Sequence, residues 1–143
     1  MHYRPMTIDD YDAAVALWQQ TPGVRLRDAD SREGIDRYLR RNPGLSVVAE
    51  AEGRLVGTIM GGHDGHRGFV QHLAVASSHR RLDIGTRLVR RCLEALEREG
   101  IQKTHLMLLA DNETGKQFWT RLGWEPRHDI ALYSFILNGS PNA

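Results

Sequence analysis

Apolar positions recur along this chain with two different periods, and the switches between them mark its elements. Residues 3–6 read as a short strand. Ile8, Tyr11, Val15 and Trp18 then recur at helical spacing, which predicts a helix with one buried face. Thr7 stands at its cap with Asp10 in capping-box position, and Thr21-Pro22-Gly23 stops it. After a polar, irregular stretch at 24–29, Asp30 or Ser31 caps a second helix carrying Ile35, Tyr38 and Leu39. Asn42-Pro43-Gly44 ends it. The period then shortens. Runs at 45–51 and 54–61 are β-rich and meet at Glu52-Gly53, as in a hairpin. A polar loop at 62–68 leads to another strand at 69–76.

The strongest periodic signal lies at 84–99. Ile84, Leu88, Val89, Cys92, Leu93 and Leu96 form an apolar stripe; Arg87, Arg90, Arg91, Glu94, Glu97 and Arg98 face away, and Gly100 ends the helix. Residues 104–109 are almost continuously apolar, the pattern of a strand buried on both faces. A helix at 113–122 and two strands at 124–127 and 130–137 complete the order β-α-α-β-β-β-α-β-α-β-β. That order predicts an α/β fold: a mixed, mostly antiparallel central sheet with helices on both faces. One domain is expected over 1–138, with a frayed tail at 139–143.

With 143 residues, 41% hydrophobic and 26% charged, the chain has an ordinary globular composition. A net charge of +1 offers no electrostatic case for a nucleic acid or a membrane surface as partner. Arginines on the 84–99 helix are interleaved with Glu94 and Glu97, the pattern of a solvated face. Cys92 is the single cysteine, so no internal disulfide can form; with no signal peptide and no membrane-length apolar run, a cytoplasmic protein is expected. His63, Asp64, His66 and His72 lack metal-ligand spacing with a matching second cluster, so no metal is expected.

Candidate chemistry concentrates where the strand at 69–76 gives way to the basic loop before the long helix. Unpaired N–H groups and the helix dipole there suit an anion such as a pyrophosphate, and Arg80 and Arg81 lie beside them. Three stretches resemble the GNAT superfamily of N-acyltransferases: Leu73-Ala74-Val75, then Arg80-Arg81-Leu82-Asp83-Ile84-Gly85, then Asn112 followed by Phe118-Trp119-Thr120-Arg121-Leu122-Gly123-Trp124. The second is similar to the family's Q/R-x-x-G-x-G/A signature. Gly65-His66-Arg67-Gly68 further resembles a bacterial subgroup close to the ribosomal-protein alanine acetyltransferases.

The resemblance implies the acyl-CoA N-acyltransferase fold, acetyl-CoA as cosubstrate and direct attack by a primary amine, on a small molecule or at a protein N-terminus or lysine. It implies pantetheine along Leu73, Ala74 and Val75, and an oxyanion donor at a bulge near Leu73. Pyrophosphate would bind at Arg80, Arg81, Leu82, Asp83, Ile84, Gly85 and Thr86, with Asn112 and Trp119 completing the cofactor site. A homodimer is common in such folds.

Two residues depart from the family pattern. Asp83 replaces the first signature glycine: it tolerates positive φ but sets a negative charge beside the phosphates, and it is equally a favoured helix cap. Trp119 replaces a tyrosine that protonates the departing thiolate; indole cannot, and packing is its simpler role. No carboxylate lies on the fourth strand, which leaves His72 as the nearest general base, with a structural histidine as its simpler role and His63, Asp64 and His66 of the preceding loop as alternatives; regular alternation sets His72 opposite Gln71 and Leu73. Residues 23–30 and 129–133 are expected to shape the acceptor site, with Arg25 and Arg27 pointing to an anionic or peptide-like acceptor. An N-acetyltransferase is the leading reading; the alternative is a catalytically weak coenzyme-A-binding or regulatory domain of the same fold.

Overall fold

A computed structural model describes residues 1–143. Its elements are β1 (His2–Pro5), α1 (Tyr11–Gln19), α2 (Arg32–Arg41), β2 (Val47–Ala51), β3 (Arg54–His63), β4 (Gly68–Val75), α3 (Ile84–Arg98), β5 (Thr104–His105) and α4 (Glu113–Arg121). Short 3-10 turns at Ile8–Asp10, Asp28–Asp30 and Ser77–His79 link them. The strands form one sheet in the order β1-β2-β3-β4-β5, antiparallel except for the parallel β4–β5 pair. No helix is long and apolar enough to cross a membrane.

Local chemistry accounts for the boundaries. Thr7 N–H donates to Asp10 Oδ2 at 2.9 Å at the start of the first helical segment. Ser31, not Asp30, caps α2 by accepting from Gly34 N–H at 3.1 Å. Glu52 and Gly53 both have positive φ, the backbone that a two-residue hairpin between twisted strands demands. Helices cover both faces of the sheet. One core cluster sets Leu45, Val56, Ile59 and Val70 against the buried stripe of α3, with Trp119 of α4; the other packs Ala14, Leu17, Trp18 and Ile35 against Val48, Met60 and Ala74.

The helix α3 lies unusually close to β3. A Cβ on Gly57 would meet Leu88 and Ile84, and one on Gly61 would stand 2.3 Å from Cys92 Sγ. Ile84, Leu88 and Cys92 form one i, i+4 ridge, and the two glycines form the trough that receives it.

Two sequence expectations fail at the C-terminal side. The apolar run 104–109 pairs only at Thr104–His105, is half-buried rather than enclosed, and leaves Met107 71% exposed. It diverges from β4 after Phe69 and so becomes an edge. The strands expected at 124–127 and 130–137 do not form: no strand lies beside them, and the apolar side chains of 130–137 are exposed. Alternation alone does not make a strand when no neighbouring backbone completes its ladder.

Candidate active site

Divergence of β5 from β4 opens a cleft of about 1050 Å³ through the open side of the sheet. On its cleft side, away from β3, β4 has no strand partner beyond Phe69, so Leu73, Ala74 and Val75 follow a free edge. Ala74 is buried beneath the edge, and Leu73 and Val75 pack toward α3.

A bulge shapes this edge. Thr58 pairs with Ala74 and Met60 with Gln71, so Ile59 alone faces both His72 and Leu73. His72 takes φ +53, outside strand geometry. The conformation is pinned from below: Trp18 Nε1–H donates to Thr58 Oγ1 at 2.9 Å, and Thr58 Oγ1–H donates to the His72 carbonyl at 2.8 Å. Trp18 and Thr58 are both fully buried.

The bulge also corrects the expected alternation. Gln71 and His72 now face the same side, that of α1 and α2, while Leu73 faces α3. His72 Nε2 lies 2.7 Å from Asp30 Oδ1, and its ring meets the Trp18 indole edge-on at 4.6 Å. Burial pushes the Asp30 carboxyl up, but the His72 hydrogen bond and the Arg27 N–H outweigh it and hold the group below the usual carboxylate range. An ionised carboxylate only accepts, so His72 Nε2 carries a proton toward Asp30, and Nδ1 is the ring nitrogen left to accept one. Asp30, read from sequence only as a cap, is the principal residue that sequence reasoning missed. Its signal would have been a carboxylate against the His72 ring, a pairing across 42 residues that needs the fold to be seen.

At the opposite wall, the N-terminus of α3 faces the cleft. No hydrogen bond within the chain uses the backbone N–H groups of residues 81–86. Arg80 and Arg81 are exposed on the rim, and both line the cleft with Asp83, Ile84, Gly85 and Thr86. Leu82 does not: its side chain is exposed outside the cleft. Asp83 takes φ +59, as the glycine position requires, and stands at the N-cap. Its side chain makes no capping bond, so capping does not account for it. Its carbonyl instead accepts the Arg87 N–H at 3.0 Å.

Asn112 caps α4, its Oδ1 accepting from Gly115 N–H at 2.9 Å, which leaves its amide nitrogen in the cleft. Trp119 is 7% exposed, in edge-on contact with both Phe118 and Trp124. Tyr38 and residues 21–25, including Arg25, line the cleft, whereas 26–30 and 129–133, expected to shape an acceptor site, do not reach it. Burial raises the Tyr38 phenol above its ordinary value, so it stays protonated. His63 is tied to Glu99 at 2.8 Å, and Asp64 is spent on the N–H groups of His66 and Arg67. No cluster of three His, Cys, Asp or Glu side chains is placed to hold a metal ion.

Residues 11–124 match the acetyltransferase (GNAT) family. An acetyltransferase of Pectobacterium atrosepticum is 35% identical over 132 residues, covering 92% of this chain and 93% of that protein. Among solved structures, an N-acetyltransferase (PaiA) of Thermoplasma acidophilum in complex with coenzyme A superposes with TM-score 0.72 at 19% identity, over 85% of this chain and 87% of that one. Glucosamine-6-phosphate N-acetyltransferase of Arabidopsis thaliana superposes with TM-score 0.66 at 19% identity, over 94% and 97% of the two chains.

Proposed function

The chain belongs to the GNAT acetyltransferase family, and from that premise we propose that it passes the acetyl group of acetyl-CoA directly to a primary amine within a ternary complex. One observation carries the reading: the free N–H groups of 81–86 face the same cleft as the unpaired edge of β4 and His72, whose ring Asp30 holds from behind.

Bound acetyl-CoA would supply an activated thioester carbonyl. Backbone N–H groups of 81–86, with Arg80 and Arg81, hold the pyrophosphate. The edge at Leu73, Ala74 and Val75 pairs with the pantetheine arm as a strand would, and the Asn112 amide nitrogen offers one further donor. The bulge turns backbone N–H toward the developing oxyanion. His72 takes a proton at Nδ1 from the bound acceptor ammonium, directly or through water, which frees the amine lone pair to attack the thioester carbonyl, while Asp30 orients the ring and stabilises its charged form. Trp119 packs and donates no proton; a thiolate whose conjugate acid has a pKa near 8.5 leaves unaided.

The acceptor is a small-molecule amine or a protein N-terminus or lysine, entering on the Tyr38 and Arg25 side. Similarity of the Gly65–Gly68 motif to the ribosomal-protein subgroup supports the N-terminus class, and the exposed Arg25 supports an acceptor bearing an anionic group. Release of free coenzyme A thiol from acetyl-CoA, followed over a panel of amines and N-terminal peptides, tests the reading. Saturable release with at least one acceptor is expected. Thermal stabilisation by acetyl-CoA with no release for any acceptor would favour a coenzyme-A-binding domain instead, the reading to which Asp83 lends weight.

A further inference from the structure

Asp30 holds the His72 ring from a short turn, Asp28–Asp30, whose approach from α1 is loose. Residues 25 and 26 make no backbone–backbone hydrogen bond. Within the turn, Asp30 Oδ2 accepts the Arg27 N–H at 2.9 Å, and the Asp30 N–H donates to the Arg27 carbonyl at 2.9 Å. These bonds shape the turn without placing it against β4. Placement at the Asp30 end comes from two helices. The Tyr11 hydroxyl of α1 donates to the Asp30 carbonyl at 2.7 Å. The Ala29 carbonyl rests on the first turn of α2, where a Cβ on Gly34 would stand 2.1 Å from it.

The Asp28 end is held by a segment remote in sequence. The Asp28 N–H donates to the Asn142 carbonyl at 2.9 Å, and Asn142 Nδ2 donates to Asp28 Oδ1 at 3.0 Å, across 114 residues. The Ser140 hydroxyl donates to Asp28 Oδ2. No basic group pairs with this carboxylate; both its oxygens are taken by residues 140 and 142. The segment has its own local order. Gly139 takes φ +71 and turns the chain, and Asn138 Oδ1 accepts the Ser140 N–H at 3.1 Å. Pro141, with its fixed φ, stiffens the backbone between the two residues that bond Asp28.

We propose, on the reading of His72 as the base, that Ser140 and Asn142 are positioning residues for it, acting through Asp28 and Asp30. The turn is clamped between α2 on one side and residues 140–142 on the other, and Asp28 and Asp30 are its two ends. Release of Asp28 lets the turn rock about its contacts with Tyr11 and Gly34, and the Asp30 carboxylate moves off the His72 ring. A charge-assisted hydrogen bond of 2.7 Å is sensitive to such a shift. Neither Ser140 nor Asn142 lines the cleft, so their effect reaches the reaction only through this pair.

Coenzyme A release is measured for Asp28→Ala, Asn142→Ala and Asp30→Asn in the full chain, and for each of the first two combined with the third. A misplacement of ~1 Å can cost about 10²-fold, so a turn loosened at one end should lower kcat roughly tenfold, with the KM for acetyl-CoA within about twofold. In the Asp30→Asn background, either change should lower kcat by less than about twofold, because the link it supports is already gone. Full multiplication of the losses overturns the proposal, and so does an unchanged kcat in both single variants. Asp28 and Asn142 are exposed, so the thermal midpoints should hold. Proton NMR of the free protein supplies a readout independent of turnover. The His72 Nε2–H proton, identified by its absence from His72→Gln, should exchange with water faster in Asp28→Ala and Asn142→Ala. Exchange at the wild-type rate in both overturns the proposal. Full turnover in His72→Gln would instead defeat the assignment of the base, a separate outcome that leaves the exchange rates to decide whether residues 140–142 hold the pair.

Discussion

His72 shows how one residue departs from its element to acquire a role. In regular β4 it would lie opposite Gln71; φ +53 turns it instead onto Asp30, 2.7 Å away. If it accepts the acceptor's proton, His72→Gln should lower kcat by about 10² or more while leaving the KM for acetyl-CoA within a few-fold. Asp30→Asn removes the carboxylate that fixes the tautomer, and should lower kcat by less than His72→Gln does while leaving the KM for acetyl-CoA within a few-fold, as a positioning residue would. Asp83 is the second case. Its φ of +59 suits the turn, but its side chain caps nothing and its charge adjoins the free N–H groups of 81–86. Asp83→Gly should tighten acetyl-CoA about tenfold by calorimetry, 1.4 kcal/mol. The gain should shrink in high salt, where charge repulsion is screened. Equal affinities would mean that the carboxylate turns away from the phosphates. The glycine signature made this position legible in the sequence, whereas the bulge and the Asp30 partner were not: a bulge breaks the very periodicity by which strands are read.

At the scale of elements, the packing of α3 on β3 depends on two absent side chains. The apolar stripe of the helix was plain from its period, and the structure buries Ile84, Leu88, Val89, Cys92 and Leu96 as expected. Sequence does not reveal that the ridge sits so low. A Cβ on Gly61 would stand 2.3 Å from Cys92 Sγ and 3.0 Å from the Leu45 carbonyl. Gly61→Ala should therefore cost ~1–3 kcal/mol, read as a lower urea midpoint at unchanged slope. Adding Cys92→Ala removes the opposing sulfur and should recover part of the loss; simple additivity would show that the two sites do not touch. The misread elements are those whose fate lies outside local sequence. Residues 104–109 and 130–137 have strand-like composition, but a strand is completed by its neighbours; the first finds one only at Thr104–His105, beside β4, and the second finds none.

For the whole molecule, a charged cluster ties β1 to β2 and to the start of the first helical segment. Arg4 of β1 donates to both Asp10 carboxylate oxygens, at 2.9 and 2.7 Å, and also bonds Glu50 of β2. Burial raises the Asp10 carboxyl, but Arg4 and the Thr7 N–H outweigh it, so it lies below its ordinary 3.8. Asp30 is lowered likewise. A carboxylate with a depressed folded value stabilises fully above the unfolded value, and its contribution is lost as pH falls through the folded one. The urea midpoint should thus hold at neutral pH and drop below pH ~4. Asp10→Ala, costing about 2 kcal/mol at pH 7, should converge on the wild type in acid. The same long-range joining has a consequence for descent. Trp18 and Thr58 lie 40 residues apart, yet one buried bond links them and passes on to the backbone of His72. A lineage that loses the Thr58 hydroxyl strands an indole donor in the core and frees the bulge together. Across related chains these two positions should therefore drift as a pair, each change of one accompanied by a change of the other.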